Sequence, residues 1–176
     1  MKFQQTALPG LYLIEMDKHP DERGFFARTW DEQEFSAHGL DARFIQGSIS
    51  YSKQKGTLRG LHYQVAPNEE IKLVCCLAGS IYDVAVDLRP DSPTFKQHVA
   101  LELTDKNSRM LYVPKGVAHG FLTLAKDTIV SYQMDELFAP EAARGVRWND
   151  PAFGIQWPGN VVVISPKDTR YPNFVS

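Results

Sequence analysis

The chain has 176 residues, 43% hydrophobic and 23% charged, and its 19 Lys and Arg against 21 Asp and Glu leave a formal net charge of −2. That balance predicts one globular domain over 1–176 with a sizeable core, argues against disorder and coiled coil, and offers no basic excess for nucleic acid. Apolar runs such as Val161 to Ile164 are far too short for a bilayer, and Lys2 is followed by no apolar stretch, so neither a membrane span nor a secretory signal is expected.

Helical periodicity is credible only over Trp30 to His38, with Gly39 as the stop. Beyond it the chain reads as short β-branched and aromatic segments between turn signals, among them Lys55-Gly56, Ala78-Gly79, Lys115-Gly116 and Pro158-Gly159. Cys75 and Cys76 are adjacent, and neighbours on a strand point to opposite faces, so a disulfide between them would be strained and is not expected. Two half-buried thiols in a reducing compartment are expected, which points to the cytoplasm. Gly79 to Arg89 is a strand with apolar Ile81, Val84, Val86 and Leu88, and residues 97–103 alternate through Val99, Leu101 and Leu103. Met110 to Pro114, Gly120 to Leu124 and Thr128 to Met134 are three more strands. A helical turn is expected at Pro140 to Arg144. The Pro-, Asn- and Asp-rich tail from Trp148 should wrap the body as loop, with one strand at Val161 to Ile164. Many short strands spaced by turns predict an all-β antiparallel barrel or sandwich.

Several polar residues sit where such a pattern wants apolar ones. Asp83, Ala85 and Asp87 share one strand face, so that face meets water or lines a polar cavity. His62 lies in RGLHYQ and His119 in PKGVAHGF. A barrel enclosing Arg59, His62, Lys72, Asp83, His119 and Tyr132 is too costly to keep without a ligand. Pro114-x-Gly116-x-x-His119 resembles the second short motif of the cupin barrels. Metal-binding cupins place two His one residue apart on an earlier strand, and here Leu61-His62-Tyr63-Gln64 supplies one. No metal site and no cofactor are therefore expected, and the chemistry falls to side chains acting as acid and base.

The whole chain resembles the dTDP-4-dehydrorhamnose 3,5-epimerase family, the cupin-type sugar epimerases of deoxysugar biosynthesis. The resemblance runs through Asp21-Glu22-Arg23-Gly24-Phe25-Phe26, Gly56 to Gln64, Lys72-Leu73-Val74, Gly79 to Arg89 and Ser92 to Phe95. It continues through Val113 to Phe121, Gly145 to Pro151, Trp157-Pro158 and Ser165 to Asp168. It implies a cupin or jelly-roll antiparallel β-barrel with one or two short peripheral helices. It implies epimerisation at C3, C5 or both of a nucleoside-diphosphate 4-keto-6-deoxyhexose, whose C4 ketone acidifies the neighbouring C–H bonds. The alternatives are a single-carbon epimerase or keto-isomerase on a variant nucleotide sugar, and a non-catalytic sugar-binding cupin.

Carried over by resemblance, His62 is the base, oriented by Asp168, and Tyr132 the acid. Lys72 stabilises the enolate at the C4 oxygen, and Asp83 supports the network beside His62. Arg23, Arg59, His119 and Lys167 hold sugar and pyrophosphate, and Gln46, Gly47 and Ser48 line the sugar site. The family is typically homodimeric, with the partner's N-terminal strands completing the site, so Arg23 and Phe26 are expected to act across the interface. Four departures from the pattern stand out: Arg28 and Ala143 stand where Glu is usual, Phe138 replaces a base-stacking Tyr, and the pair Gly47-Ser48 replaces Asp-Asn. All four belong to nucleotide and sugar recognition, which predicts a variant substrate.

Overall fold

The computed structural model describes residues 1–41 and 43–175. In chain order the strands are β1 (Lys2–Gln5), β2 (Tyr12–Glu15), β3 (Lys18–Asp21), β4 (Gly24–Ala27), β5 (Gln46–Ser52), β6 (Thr57–Gln64) and β7 (Lys72–Ala78). They continue as β8 (Ser80–Asp87), β9 (His98–Thr104), β10 (Arg109–Val113), β11 (Val117–Thr123), β12 (Thr128–Met134), β13 (Ala143–Gly145) and β14 (Val163–Ile164). Helix α1 is Glu32–Ala37 and α2 is Pro166–Thr169.

Two main sheets face one another. The first has the order β1-β2-β10-β7-β12-β5, and the second β13-β6-β11-β8-β9 with β14 parallel to β6. Between them lies a core containing Val74, Ile81, Ala85, Leu111, Phe121 and Val130. The outer face of the first sheet is capped at one end by α1, whose buried Phe35 packs with Leu73, Cys75 and Tyr112. Asp31 caps α1 by accepting from the Gln33 and Glu34 amides, so the helix starts two residues later than the periodicity indicates. The outer face of the second sheet is covered by the tail through Val146 and Phe153, with Ile155 and Trp157 packed alongside. Strands β3 and β4 pair only with each other and carry Phe25 and Phe26 into solvent. Among the described residues no helix is long and apolar enough to cross a membrane.

Two local expectations need correction. Residues 140–142 form a turn and Ala143–Gly145 then enters the second sheet opposite Gln64–His62, so Pro140 to Arg144 is not helical. The second helix is α2, which Ser165 caps and Pro166 opens, the two residue types that favour a helix start. The thiols of Cys75 and Cys76 are free and buried rather than half-buried. Burial pushes the Cys75 thiol up to about 11 and the Cys76 thiol up to about 12, so neither is a nucleophile at neutral pH.

Candidate active site

A cavity of about 930 Å³ opens between the sheets and is floored by β6, β7, β11 and β12. A β-bulge makes its polar floor possible. His119 of β11 pairs with His62 of β6, yet Phe121, two residues on, pairs with Arg59, three residues back. The extra residue on β6 turns Arg59 and His62 to the same side, which strict alternation forbids. Gly60 and Gly120 meet at this bulge. A Cβ on Gly60, whose φ is +120°, would lie 2.6 Å from the Gly120 Cα, so no larger residue fits.

His62 Nε2 lies 2.6 Å from Asp168 Oδ1. Asp168 is delivered by α2 and is buried, while the imidazole is 41% exposed to the cavity. Burial acts to raise the Asp168 carboxyl, but the His62 hydrogen bond and charge, the Gly60 amide and Ser165 outweigh it and hold the group below the usual carboxylate range. An ionised Asp168 accepts from Nε2–H, which leaves Nδ1 to take a proton. Tyr171, one turn beyond Asp168, packs edge-on to His62 with ring centroids 6.2 Å apart. Its ring occupies the place of a side chain at Gly145, the cross-strand partner of His62. His62 is thus held by a carboxylate behind and an aromatic ring beside it.

A second pair lies one strand away. His119 Nε2 is 2.7 Å from Asp83 Oδ1, with both groups buried. Asp83 therefore supports His119 rather than His62, because β8 neighbours β11 in the sheet and not β6. Among the described residues the other Asp83 oxygen has no hydrogen-bond partner. Asp87, two residues on and also buried, serves structure: Arg89, Ser92 and Thr94 all donate to it. Burial raises that carboxyl and these donors more than reverse the effect, leaving it well below its ordinary value.

Tyr132 reaches the cavity from β12, and its hydroxyl lies 3.1 Å from Ser50 Oγ. Burial and the Asp83 charge push the phenol upward, opposed by the Ser50 hydrogen bond and the Arg59 charge. Lys72 donates to the His62 carbonyl at 3.2 Å and pairs with Glu70 at 2.9 Å, both side chains being largely buried. Arg59 is fixed by Ser52 Oγ and the Tyr51 carbonyl. Gln46, Ser48, Phe138, Ala143 and Lys167 also line the cavity. Gly47 does not, because alternation on β5 turns it away. Arg23, Phe26 and Arg28 lie outside the cavity of their own chain. Arg23 pairs with Asp21 at 2.6 Å, and Arg28 with Asp31, the α1 cap, at 3.2 Å. Among the described residues no group of three His, Cys, Asp or Glu is placed to hold a metal.

Ser50, Glu70 and Tyr171 join the site without having been singled out in the sequence. Ser50 follows Ser48 at the strand period and Glu70 precedes Lys72 by two, signals that could have found them. Nothing in the sequence marks Tyr171.

Residues 5–176 match the family described as dTDP-4-dehydrorhamnose 3,5-epimerase. This chain belongs to that family. The dTDP-4-dehydrorhamnose 3,5-epimerase of Sinorhizobium fredii is 42% identical over 175 residues, 99% of this chain and 90% of the relative. The crystal structure of the Bacillus anthracis enzyme of that name, with TDP and PPi bound, superposes with a TM-score of 0.95 at 42% identity, over 98% of this chain and 99% of that one. The Legionella pneumophila dTDP-6-deoxy-D-glucose-3,5-epimerase, solved in complex with dTDP-4-keto-L-rhamnose, gives 0.91 at 37% identity over 99% of both chains. The cupin-type barrel of the family is the fold found here.

Proposed function

We propose that this protein, acting as a single catalytic domain, epimerises C3 and C5 of a dTDP-linked 4-keto-6-deoxyhexose in deoxysugar biosynthesis. The observation that carries the reading is the His62–Asp168 pair at 2.6 Å sharing one cavity with the Tyr132 phenol and the Lys72 ammonium. Nδ1 of His62 takes the proton from the carbon beside the ketone. Asp168 fixes the tautomer and stabilises the imidazolium that forms. The enolate oxygen gains its negative charge near Lys72, a cation held in place by Glu70 and the His62 carbonyl. Tyr132 returns a proton from the other face, which inverts the carbon.

Arg59, His119 and Lys167 serve the sugar and pyrophosphate, Arg59 through a fork that engages two oxygens at once. Phe138 offers an aromatic face to the base, and Gln46 and Ser48 serve the sugar. The thymidine nucleotide is supported by the ligands in the two similar structures and by the name of the Sinorhizobium relative. Of the four departures, Arg28 is engaged by the α1 cap residue and Gly47 faces away, while Phe138 keeps the stacking surface.

The reading includes a homodimer. Ile49, Tyr51 and Leu77 are 70%, 49% and 53% exposed on the part of the first sheet that α1 leaves open. The β3–β4 hairpin, with Phe26 66% exposed, would complete the partner's site through Arg23 and Phe26. The two free buried thiols fit work in a reducing cytoplasm.

The test is the dTDP-4-keto-6-deoxyglucose nucleotide in deuterium oxide, followed by NMR, beside its CDP and GDP analogues. Deuterium should enter C3 and C5 of the dTDP sugar. His62→Ala should abolish exchange while leaving binding, and Tyr132→Phe should slow inversion more than exchange. Exchange confined to one carbon or to another nucleotide would replace this reading with the variant one. Exchange persisting in His62→Ala would remove His62 as the base.

A further inference from the structure

The acid in this reading has an unusual demand placed on it. When Tyr132 gives up its proton, the O–H bond breaks and a C–H bond forms on the substrate carbon. The enolate electron pair enters that bond as the C4 carbonyl re-forms. A phenolate remains in a site where burial and the Asp83 carboxylate both oppose negative charge. A buried anion needs a donor pointed at it.

Only one hydrogen-bonding partner of that oxygen is present among the described residues. Ser50 Oγ lies 3.1 Å from the Tyr132 hydroxyl. On the β5–β12 ladder Ser50 stands opposite Val130 and Tyr132 opposite Ser48, so the phenol reaches diagonally to Ser50. Ser48, Ser50 and Ser52 follow at period two along β5. Ser52 holds Arg59 while Ser50 holds Tyr132, and Ser50 also lines the cavity. Small hydroxyls at both positions on one edge strand therefore serve two different cavity groups.

We propose that Ser50 is the positioning residue for Tyr132: its hydroxyl fixes the phenol at the cavity wall and donates to the phenolate left after proton transfer. The proposal rests on Tyr132 being the acid of the epimerase reading above. In the resting state either hydroxyl can donate. After transfer only Ser50 can, so the bond becomes charge-assisted when it is needed. The phenolate regains its proton through the same hydroxyl, Ser50 Oγ taking one from a cavity water as it gives up its own. The proton that His62 gained leaves to water, which balances the cycle. Two inversions on one bound sugar require this reset to occur twice.

The experiment compares two rates on the dTDP-4-keto-6-deoxyglucose nucleotide in deuterium oxide. Exchange with retention reports His62 alone, and inversion reports Tyr132. In Ser50→Ala, inversion should fall roughly ten- to a hundredfold while exchange with retention changes less than about threefold. Ser50→Thr, which keeps the hydroxyl, should restore the original partition, and Ser50→Cys, a weaker donor, should fall between. Ser52→Ala should lower both rates together, because it loosens Arg59. Equal loss of the two rates in Ser50→Ala, or an unchanged partition, overturns the role of Ser50. Should Ser50→Ala fail to fold, as judged by melting, the Thr and Cys variants carry the same comparison, and equal partitions in both overturn it. Absence of exchange in the unaltered protein overturns the epimerase reading first, and this proposal with it.

Discussion

Asp168→Asn tests the dyad with the least change of shape. Asn keeps the volume and can still accept from His62 Nε2, but it removes the charge facing the imidazolium. A hydrogen bond to a charged partner contributes about 1.5–3 kcal/mol and a neutral one about 0.5–1.5, so that exchange alone costs about 1 kcal/mol or more. The lost ion pair adds to this: two unit charges at about 4 Å interact by about 4 kcal/mol at an effective dielectric of 20. The imidazole is 41% exposed, so solvent screens much of that attraction. A combined loss of about 2–3 kcal/mol in the deprotonation step corresponds to roughly 30- to 150-fold in rate. The assay is the deuterium-exchange rate at C3 and C5 under saturating substrate, with a thermal melt of the same variant to establish folding. An exchange rate within about threefold of the unaltered enzyme, in a folded variant, would refute the argument that Asp168 stabilises the imidazolium.

Gly145→Ala would place a methyl 2.2 Å from the Tyr171 ring; overpacking of this kind costs about 1–3 kcal/mol, read as a lower melting temperature, and exchange should slow as Tyr171 is displaced from His62. Asp87→Asn should destabilise the fold by on the order of 3 kcal/mol at neutral pH in urea titration, by stripping Arg89 of its carboxylate. The Asp87 carboxyl is lowered from 3.8 in the folded protein, so its stabilising contribution is full above that value and is lost as pH falls from there through the lower folded value; the variant's stability should respond less to acid over that window. Ile49→Asp should shift the sedimentation of the protein toward monomer and lower turnover with it, and an unchanged sedimentation coefficient would place the interface elsewhere.

Much of this architecture could be read from residues alone, because turn glycines and apolar runs mark β10 to β12 and Gly39 ends α1. The polar cavity was also legible, since Arg59, His62, Lys72, His119 and Tyr132 all line it. What escaped depended on partners distant in sequence. Strand β8 buries Asp83 and Ala85 on one face and Val84 and Val86 on the other, so its alternation carries no direction. The pairing of Asp83 with His119 follows from strand order, which one strand's sequence does not reveal. The bulge at Gly60 overrides the parity that would separate Arg59 from His62. Helix α2, a single turn, is too short for periodicity to show.

His62 and its carboxylate are separated by 106 residues, and the second of them lies near the end of the described chain. During synthesis both sheets can therefore be complete in sequence while the dyad is still open. Closing so long a loop carries an entropic cost that the tail meets through its own anchors, among them Asp150 accepting from the Phe174 amide and Phe174 against Phe153. Opening of that segment alone would silence the enzyme with the rest of its barrel intact, so activity reports the docking of the tail as well as the formation of the sheets.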